Sequence, residues 1–301
     1  MYRFPAEQRQ VFFRRGRHIF CGSLLRPASA FFRTNFMERI LLADIGNTCI
    51  KLGLADDSGP EGVGPFRTWS LPTRMPHTRD SLGLALIGLL GREGLGEGDF
   101  SACAICSVVP DLTPILRDAV RLYLSCPVLN YPDDFPPGLE NRYDQPTQVG
   151  ADRLLAAFAA RTLFPEPASL ISVDFGTATT FDCVTGQAYL GGLICPGVLS
   201  SHGALASGTA KLPRISLEAD ADAPLIGSNT STSMRHGFVF GFAAMTEGLC
   251  ARLKKQLPGP CLVLGTGGFA PAIAAVSSCI DHVRPDLILE GLRLAWKSGR
   301  R

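Results

Sequence analysis

One pattern occurs twice in this sequence, 130 residues apart. In each copy an apolar stretch runs into an Asp-x-Gly sequence, then a turn that contains threonine, then a second apolar stretch; the copies are centred on Asp44 and Asp174. Repetition of one supersecondary unit indicates a fold assembled from related parts. We therefore predict an α/β protein with two related lobes, residues 37–165 and 166–301, joined near residues 164–169.

Hydrophobic periodicity predicts the other elements of this fold. Short apolar runs predict strands at residues 40–43, 49–54, 170–173, 180–184 and 261–264 and around Ile105. Apolar residues three and four positions apart predict helices at residues 81–91, 111–124, 152–163, 231–240 and 287–296. The strand at 261–264 opens into a glycine turn at 265–268, which makes it a third unit of the strand-and-turn type.

The composition restricts the classes of function. At 301 residues and 46% hydrophobic, the chain is long enough for two domains with cores. Its apolar runs end within about ten residues, whereas a membrane-spanning helix needs about 20, so we expect no membrane segment. Residues 37–301 hold 22 basic and 26 acidic residues, a formal net charge of −4. We expect no nucleic-acid binding by this globular part, because such binding requires a basic face.

Residues 1–36 form a basic extension, with seven arginines against one glutamate. The extension has no lysine, and its eight aromatic residues follow neither a period of 2 nor one of 3.6, so no stable element is predicted. We expect the native fold to begin near Met37, with the extension disordered or a misassigned start, and dispensable for catalysis. An Arg-rich, acid-poor segment is also typical of a targeting peptide or a nucleic-acid tether.

Most of the ten cysteines lie within apolar runs. We expect reduced, buried thiols and a cytoplasmic location, because a chain of this length needs no disulfides to fold. Cys103 and Cys106 form a CxxC sequence, but a second pair at zinc-ligand spacing is missing. We therefore expect a β-strand there rather than a metal or redox site.

The Asp-x-Gly turns offer a consistent set of ligand groups. Glycine lets the backbone approach an anion closely, hydroxyls and backbone amides donate hydrogen bonds, and an aspartate binds a cation directly or through water. Lys51 can meet a phosphate as a point charge. A lone Asp-x-Gly is usually a hairpin turn, but two copies with threonine favour phosphate and cation binding. The Walker pattern is absent, which excludes a P-loop enzyme, and the dinucleotide-binding glycine pattern is also missing.

Short motifs along the chain, from about Met37 to its end, carry a resemblance to one family. They are DIGNT at 44–48 with Lys51, SVVP at 107–110, Tyr143, GADR at 150–153, DFGTAT at 174–179, GGLICPG at 191–197, KLP at 211–213, NT at 229–230, GG at 267–268 and LEGL at 289–292. In this order and spacing they resemble type III pantothenate kinase, of the actin/Hsp70/sugar-kinase superfamily. The resemblance implies two ribonuclease-H-like lobes around a nucleotide cleft. It also implies ATP-dependent phosphorylation of the 4′-hydroxyl of pantothenate, the first step toward coenzyme A.

The resemblance further implies roles for individual residues. Asp152 would be the catalytic base, and Asp174 would hold a monovalent cation, K⁺ or NH₄⁺. ATP with Mg²⁺ would be the phosphoryl donor, and a homodimer is expected, with the apolar 238–242 segment near its interface. The residues expected at the ATP phosphates are Asp44, Gly46, Asn47, Thr48, Lys51 and Thr177. The residues expected to line the pantothenate site are Tyr143, Gly150, Ala151, Asp152, Arg153 and Thr230.

The same residues have ordinary structural interpretations. Asp152 can be a helix-capping acid and Arg153 a surface ion pair, while Tyr143 can be a packed aromatic residue. Thr230 is predicted as the N-cap of the helix at 231–240, and His202 and His236 are expected to be structural. Two other functions also stay open: a non-catalytic family member acting as a gene-expression accessory factor, and a superfamily kinase or phosphatase with another substrate. Intact acid, arginine and phosphate turns favour the kinase.

Overall fold

The computed structural model describes residues 39–56, 67–135, 138–207 and 224–299. The predictions for the extension, for a start at Met37 and for the 211–213 motif lie outside the described residues. Within the described ranges the strands are β1 (Arg39–Ile45), β2 (Cys49–Asp56), β3 (Arg67–Pro72), β4 (Ala102–Ser107), β5 (Val128–Tyr131), β6 (Glu140–Asn141), β7 (Ser169–Phe175), β8 (Ala178–Thr185), β9 (Ala188–Pro196), β10 (Cys261–Thr266) and β11 (His282–Val283). The helices are α1 (Arg79–Gly91), α2 (Thr113–Tyr123), α3 (Ala151–Leu163), α4 (Val198–Ser207), α5 (Thr230–Lys254), α6 (Ala270–Ala274) and α7 (Leu287–Ser298).

The strands form two sheets with the same topology. The first has the order β3-β2-β1-β4-β5, and the second has the order β11-β10-β7-β8-β9-β6. In each sheet a central strand, β1 or β7, pairs antiparallel with the next strand and parallel with a later one, β4 or β10. The predicted duplication is therefore confirmed, and the α/β fold consists of two ribonuclease-H-like sheets. The strand β6 extends the second sheet, and the boundary between the lobes stays a prediction.

The central strands are apolar because helices cover both of their faces. The residues of β1 alternate between two cores: Leu41 packs in one, with α1 and α2, and Leu42 packs in the other, with α3 and α7. Asp44 and Asp174 are partly exposed near the carboxyl ends of β1 and β7. A buried central strand thus delivers one carboxylate to the end of each sheet, where ligands of α/β proteins bind.

The predicted helices are confirmed except for the end of α5, and two further helices, α4 and α6, were not predicted. The helix α5 extends to Lys254, well beyond the predicted end at residue 240. Its N-cap is Asn229, so the prediction of Thr230 at that position was wrong. The Asn229 side chain accepts a hydrogen bond from the Thr232 backbone N–H at 3.0 Å, and the Thr232 hydroxyl accepts one from the Asn229 N–H at 3.1 Å. This reciprocal pair satisfies two amides that a single threonine would leave open.

The CxxC cysteines lie on the predicted strand, β4. Cys103 contributes to one core and Cys106 to the other, because residues three apart on a strand face opposite sides. The two sulfurs therefore do not converge on one ligand.

Within the described ranges, no helix combines the length and the apolar character needed to cross a bilayer.

Candidate active site

The two Asp-x-Gly turns line a single cavity of about 310 Å³. In each turn the glycine N–H donates to a carbonyl further along the turn: Gly46 to Cys49 at 3.0 Å, three residues on, and Gly176 to Ala178 at 3.1 Å, two residues on. The hydroxyls of Thr48 and Thr177 lie 2.8 Å apart, so the turns meet through their threonines. Two segments that are 129 residues apart in the chain thus present small residues and hydroxyls to one space.

The glycine turn after β10 lines the same cavity. Gly267 has a φ of +87°, a conformation that favours glycine, and a Cβ at this position would collide with Oδ1 of Asp174. Glycine is therefore required for both the turn and the close approach to the carboxylate. The turn of the third strand-and-turn unit, after β10, therefore packs against Asp174 of the second unit.

Five aspartates line the cavity: Asp44, Asp152, Asp174, Asp182 and Asp286. Burial raises the pKa of Asp44 to about 7, and the charges of Asp152 and Asp174 add to this effect while Lys51 opposes it. Burial likewise raises the pKa of Asp174 to about 7, with further contributions from Asp152 and Asp182. Carboxylates crowded in this way are stabilised by a cation, and their hard oxygens suit Mg²⁺ or an alkali ion.

The cavity does not hold a complete protein cage for a metal. Among the described residues, no group of three acid, histidine or cysteine side chains has the geometry of a metal site. Mg²⁺ usually takes one or two carboxylates from the protein and completes its shell with phosphates and water. Asp44 and Asp174 fit that pattern, because each lies beside a turn suited to phosphate oxygens.

Asp152 lies in the first turn of α3. Gly150 is the N-cap of this helix, so Asp152 is not the capping residue. One carboxylate oxygen accepts a hydrogen bond from the backbone N–H of Arg153 at 2.8 Å. Burial raises the pKa of Asp152, whereas the hydrogen bond and the charge of Arg153 lower it. The helix N-terminus favours the anionic form, which is the form that accepts a proton.

Arg153 is held inside the protein rather than at its surface. Its side chain is 10% exposed, and Nε donates to Oδ1 of Asp182 at 2.8 Å. The interpretation of Arg153 as a surface ion pair was therefore wrong. Sequence reasoning missed Asp182, although a signal was present: Thr180 and Asp182 alternate with Phe181 on β8, which places two polar residues on one face directly after the turn.

Lys51 lines the cavity from β2, opposite Asp44 in the hairpin. Its ammonium group contacts the carboxylate of Asp286 and donates to the carbonyl of Pro285 at 3.2 Å. Asp286 was also missed, since it lies 235 residues away in the sequence. A phosphate that binds Lys51 has to compete with this ion pair.

The cavity contains nine of the predicted residues and omits four. Gly150 and Ala151 lie at the start of α3, next to the cavity residue Asp152. The ring of Tyr143 packs against Gly191, 6.4 Å from the ring of Tyr189. The residues that line the cavity are Asp44, Gly46, Asn47, Thr48, Lys51, Asp152, Arg153, Asp174 and Thr177.

Thr230 lies elsewhere, in an open groove of about 740 Å³ along α5. The groove is lined mainly by apolar side chains and glycines, including Met234, Phe238 and Leu205. It is larger than the aspartate cavity but contains no carboxylate, and it is the less suited of the two to phosphate chemistry. The half-buried Phe238 and Phe242 stack along it, with ring centroids 6.5 Å apart. His202 and His236 are buried and pack edge-on against Phe238 and Phe240.

Comparison with known proteins shows which family this chain belongs to. The family model of type III pantothenate kinase matches residues 40–252. The chain belongs to the type III pantothenate kinase family. It is 58% identical over 259 residues to a type III pantothenate kinase of Nitratidesulfovibrio vulgaris (strain DSM 19637 / Miyazaki F), covering 86% of this chain and 97% of that protein. It is 38% identical to one from Dehalococcoides mccartyi (strain ATCC BAA-2266 / KCTC 15142 / 195), covering 86% of this chain and 98% of that protein.

A solved structure supports the fold of this kinase. A conserved putative Baf family transcriptional activator from Campylobacter jejuni aligns with a TM-score of 0.52 at 18% identity, over 86% of this chain and 98% of that chain. At this identity the likeness supports the fold alone, and no activator role follows from it for this chain. As a kinase, the protein uses ATP and a divalent metal.

Proposed function

We propose that this kinase transfers the γ-phosphoryl group of ATP to the 4′-hydroxyl of pantothenate, the first step of coenzyme A synthesis. One observation carries the proposal: both aspartate turns, the acid Asp152 and the cation Arg153 line the same cavity. Phosphoryl transfer requires mainly that the reactants be oriented and their charge neutralised. Neutral donors on two sides and an acid at a helix start orient the reactants, and Lys51 and Arg153 supply positive charge.

The turns bind the ATP phosphates. The amides and hydroxyls of Gly46, Asn47, Thr48 and Thr177 donate to phosphate oxygens, because their small side chains let the phosphates approach the backbone. Lys51 supplies a positive charge after it leaves Asp286. Because the hydroxyls of Thr48 and Thr177 lie within hydrogen-bond distance, both turns can contact the same phosphate chain.

Asp152 is the base. It accepts the proton that the 4′-hydroxyl loses as the hydroxyl oxygen forms its bond to the γ-phosphorus and the bond to ADP breaks. Arg153 binds the pantothenate carboxylate, with Tyr143, Gly150 and Ala151 beside it. Adjacent positions in one helical turn thus hold the base and the substrate clamp, which fixes the distance between them.

Cations complete the site. Asp44 faces the divalent ion, and Asp174 faces a monovalent ion, K⁺ or NH₄⁺. Both carboxylates have a raised pKa, chiefly because they are buried and further because other aspartates lie nearby, while Lys51 opposes the effect. When bound, the ions neutralise charge on the phosphates. The cytoplasmic location remains a prediction, and free thiols at the described cysteines support it.

The active enzyme is a homodimer in which the α5 groove packs against a second copy. The groove is apolar and carries exposed glycines, Gly237 and Gly241, that allow another helix to approach. The helix α4 runs from Leu199 at the aspartate cavity to Leu205 at the groove. Thr230 lies in the α5 groove and not in the aspartate cavity of the same chain. We therefore propose that it lines the pantothenate site of the partner copy.

The test is ADP formation by the purified protein on addition of pantothenate. Turnover is expected with K⁺ or NH₄⁺ and should fall when Na⁺ replaces them. Glucose and glycerol serve as alternative alcohol acceptors and should give no turnover. ADP formation with another acceptor but not with pantothenate would favour a superfamily kinase of different specificity.

A further inference from the structure

Asp182 is buried beside the candidate active site and has no part in the proposed chemistry. It is 1% exposed, on β8, and lines the floor of the cavity. An ionised carboxylate that is removed from water is unfavourable unless cations and hydrogen-bond donors surround it. A buried acid in this position is therefore expected to accept hydrogen bonds from several donors.

Three side chains donate to Asp182. Arg153 Nε and the Tyr189 hydroxyl each donate to Oδ1 at 2.8 Å, and the Thr180 hydroxyl donates to Oδ2 at 3.2 Å. The donors come from α3, β8 and β9, so the carboxylate ties the first turn of α3 to the second sheet. Tyr189 is itself fully buried, which fixes the position of its hydroxyl.

The geometry leaves part of the Arg153 guanidinium open. Nη2 lies 2.7 Å from the same Oδ1, yet its N–H groups are not aligned with that oxygen, and it has no hydrogen-bond partner. A guanidinium is planar and carries donors on two edges. Asp182 contacts Nε and Nη2, and Nη2 is itself buried, so Nη1 is the donor left to bind a carboxylate.

We infer that Asp182 is a positioning residue that orients the Arg153 guanidinium toward the carboxylate of the substrate. This inference rests on the proposed role of Arg153 in binding pantothenate. Asp182 itself does not contact the reacting atoms. Its expected effect is on discrimination between a charged and an uncharged substrate, because it acts through the group that recognises the charge.

The experiment compares pantothenate with pantothenol, in which a primary alcohol replaces the carboxylate. In Asp182→Asn we expect the KM for pantothenate to rise about tenfold, the size typical of losing a group that orients a ligand-binding side chain. The kcat, the KM for ATP and turnover of pantothenol should change little. The control is Ser172→Ala, opposite Asp182 on β7, whose buried hydroxyl has no partner; it should behave like the wild type.

Arg153→Gln and the double variant separate the two claims. If Asp182 acts through Arg153, the double variant loses no more discrimination than Arg153→Gln alone. Unchanged discrimination in Arg153→Gln would refute the role of Arg153 and this inference with it. Altered discrimination in Arg153→Gln but not in a folded Asp182→Asn would overturn the role of Asp182 alone, as would equal losses with both substrates.

Tyr189→Phe keeps the inference testable if Asp182→Asn does not fold. The phenylalanine ring retains the packing of Tyr189 and removes one donor from Asp182. We expect a smaller rise in the KM for pantothenate, about threefold, since one hydrogen bond of three is lost. Wild-type discrimination in a stable Tyr189→Phe would overturn the inference.

Discussion

At the scale of single residues, Asp152 is the proposed base. Asp152→Asn keeps the shape of the side chain and removes the proton acceptor, so kcat should fall by at least about a hundredfold, the lower range for a general base. The melting temperature should change little, because the amide can still accept the hydrogen bond from Arg153 N–H. Single-turnover phosphorylation and thermal melts measure the two effects.

The matched control for this variant is Asp118→Asn, an exposed acid on α2 that loses the same charge. It should retain wild-type turnover. Near-full activity in a folded Asp152→Asn would mean that another group takes the proton.

Asp174 carries the proposed monovalent cation. Asp174→Asn replaces a hard anionic ligand with a neutral one, so the dependence of the rate on K⁺ concentration should become weaker. The rate is measured over a range of KCl concentrations at constant ionic strength. A K⁺ dependence equal to that of the wild type would exclude Asp174 from the cation site.

At the level of secondary-structure elements, Arg161 connects α3 to the segment that follows it. Its side chain is 4% exposed and donates to the carbonyls of Phe164, Pro165, Pro167 and Ala168 at 2.7 to 3.4 Å. These acceptors lie in the segment predicted to join the lobes. Arg161→Ala removes all four of these hydrogen bonds from a charged group, so the free energy of unfolding should fall by about 3 kcal/mol.

Chemical denaturation measures this loss, with Arg121→Ala on the exposed face of α2 as the control. The control should change stability by less than about 0.5 kcal/mol. Equal stabilities of the two variants would show that Arg161 does not stabilise the joining segment.

The elements also show which features a sequence can predict. Both aspartate turns are local patterns, so their positions followed from the repeat, whereas a cleft between them was implied by the family resemblance. Asp182 and Asp286 were missed because only their tertiary contacts identify them as site residues. Asp182 pairs with Arg153, and Asp286 pairs with Lys51. The end of α5 was placed too early, because tertiary packing of Ala243 and Cys250 continues the helix beyond residue 240.

At the scale of the whole molecule, the crowded carboxylates make stability depend on pH. The pKa values of Asp44 and Asp174 are raised from 3.8 to about 7 on folding. Their stabilising contribution is therefore fully present below pH 3.8 and is lost as the pH rises through 7. The melting temperature of the ligand-free enzyme should fall between pH 5 and pH 8 through this effect.

Asp174→Asn removes one of the two groups, so its melting temperature should depend less on pH over that interval. The measurement uses buffers free of K⁺, NH₄⁺ and divalent metals. The same slope in wild type and variant would contradict a raised pKa at Asp174.

The proposed dimer is also a property of the whole molecule. Gly241 lines the α5 groove, and a Cβ there would meet no atom of its own chain within 4 Å. Gly241→Glu should therefore leave the monomer fold intact, place a charge in the interface and reduce pantothenate turnover. Gly248→Glu, on the same helix but outside the groove, has equally open surroundings and is the matched control. Light scattering after size exclusion should give a monomer for the first and a dimer for the second; a dimer in both would place the interface elsewhere.

The most direct test of the central claim is the identity of the product. Purified enzyme, ATP, Mg²⁺ and pantothenate are incubated in K⁺ buffer, and the products are followed by phosphorus and proton NMR. We expect one phosphate monoester, at the 4′-oxygen of pantothenate, formed in equal amount with ADP. ADP without a pantothenate phosphate, or phosphate at the secondary hydroxyl, would contradict the proposed function.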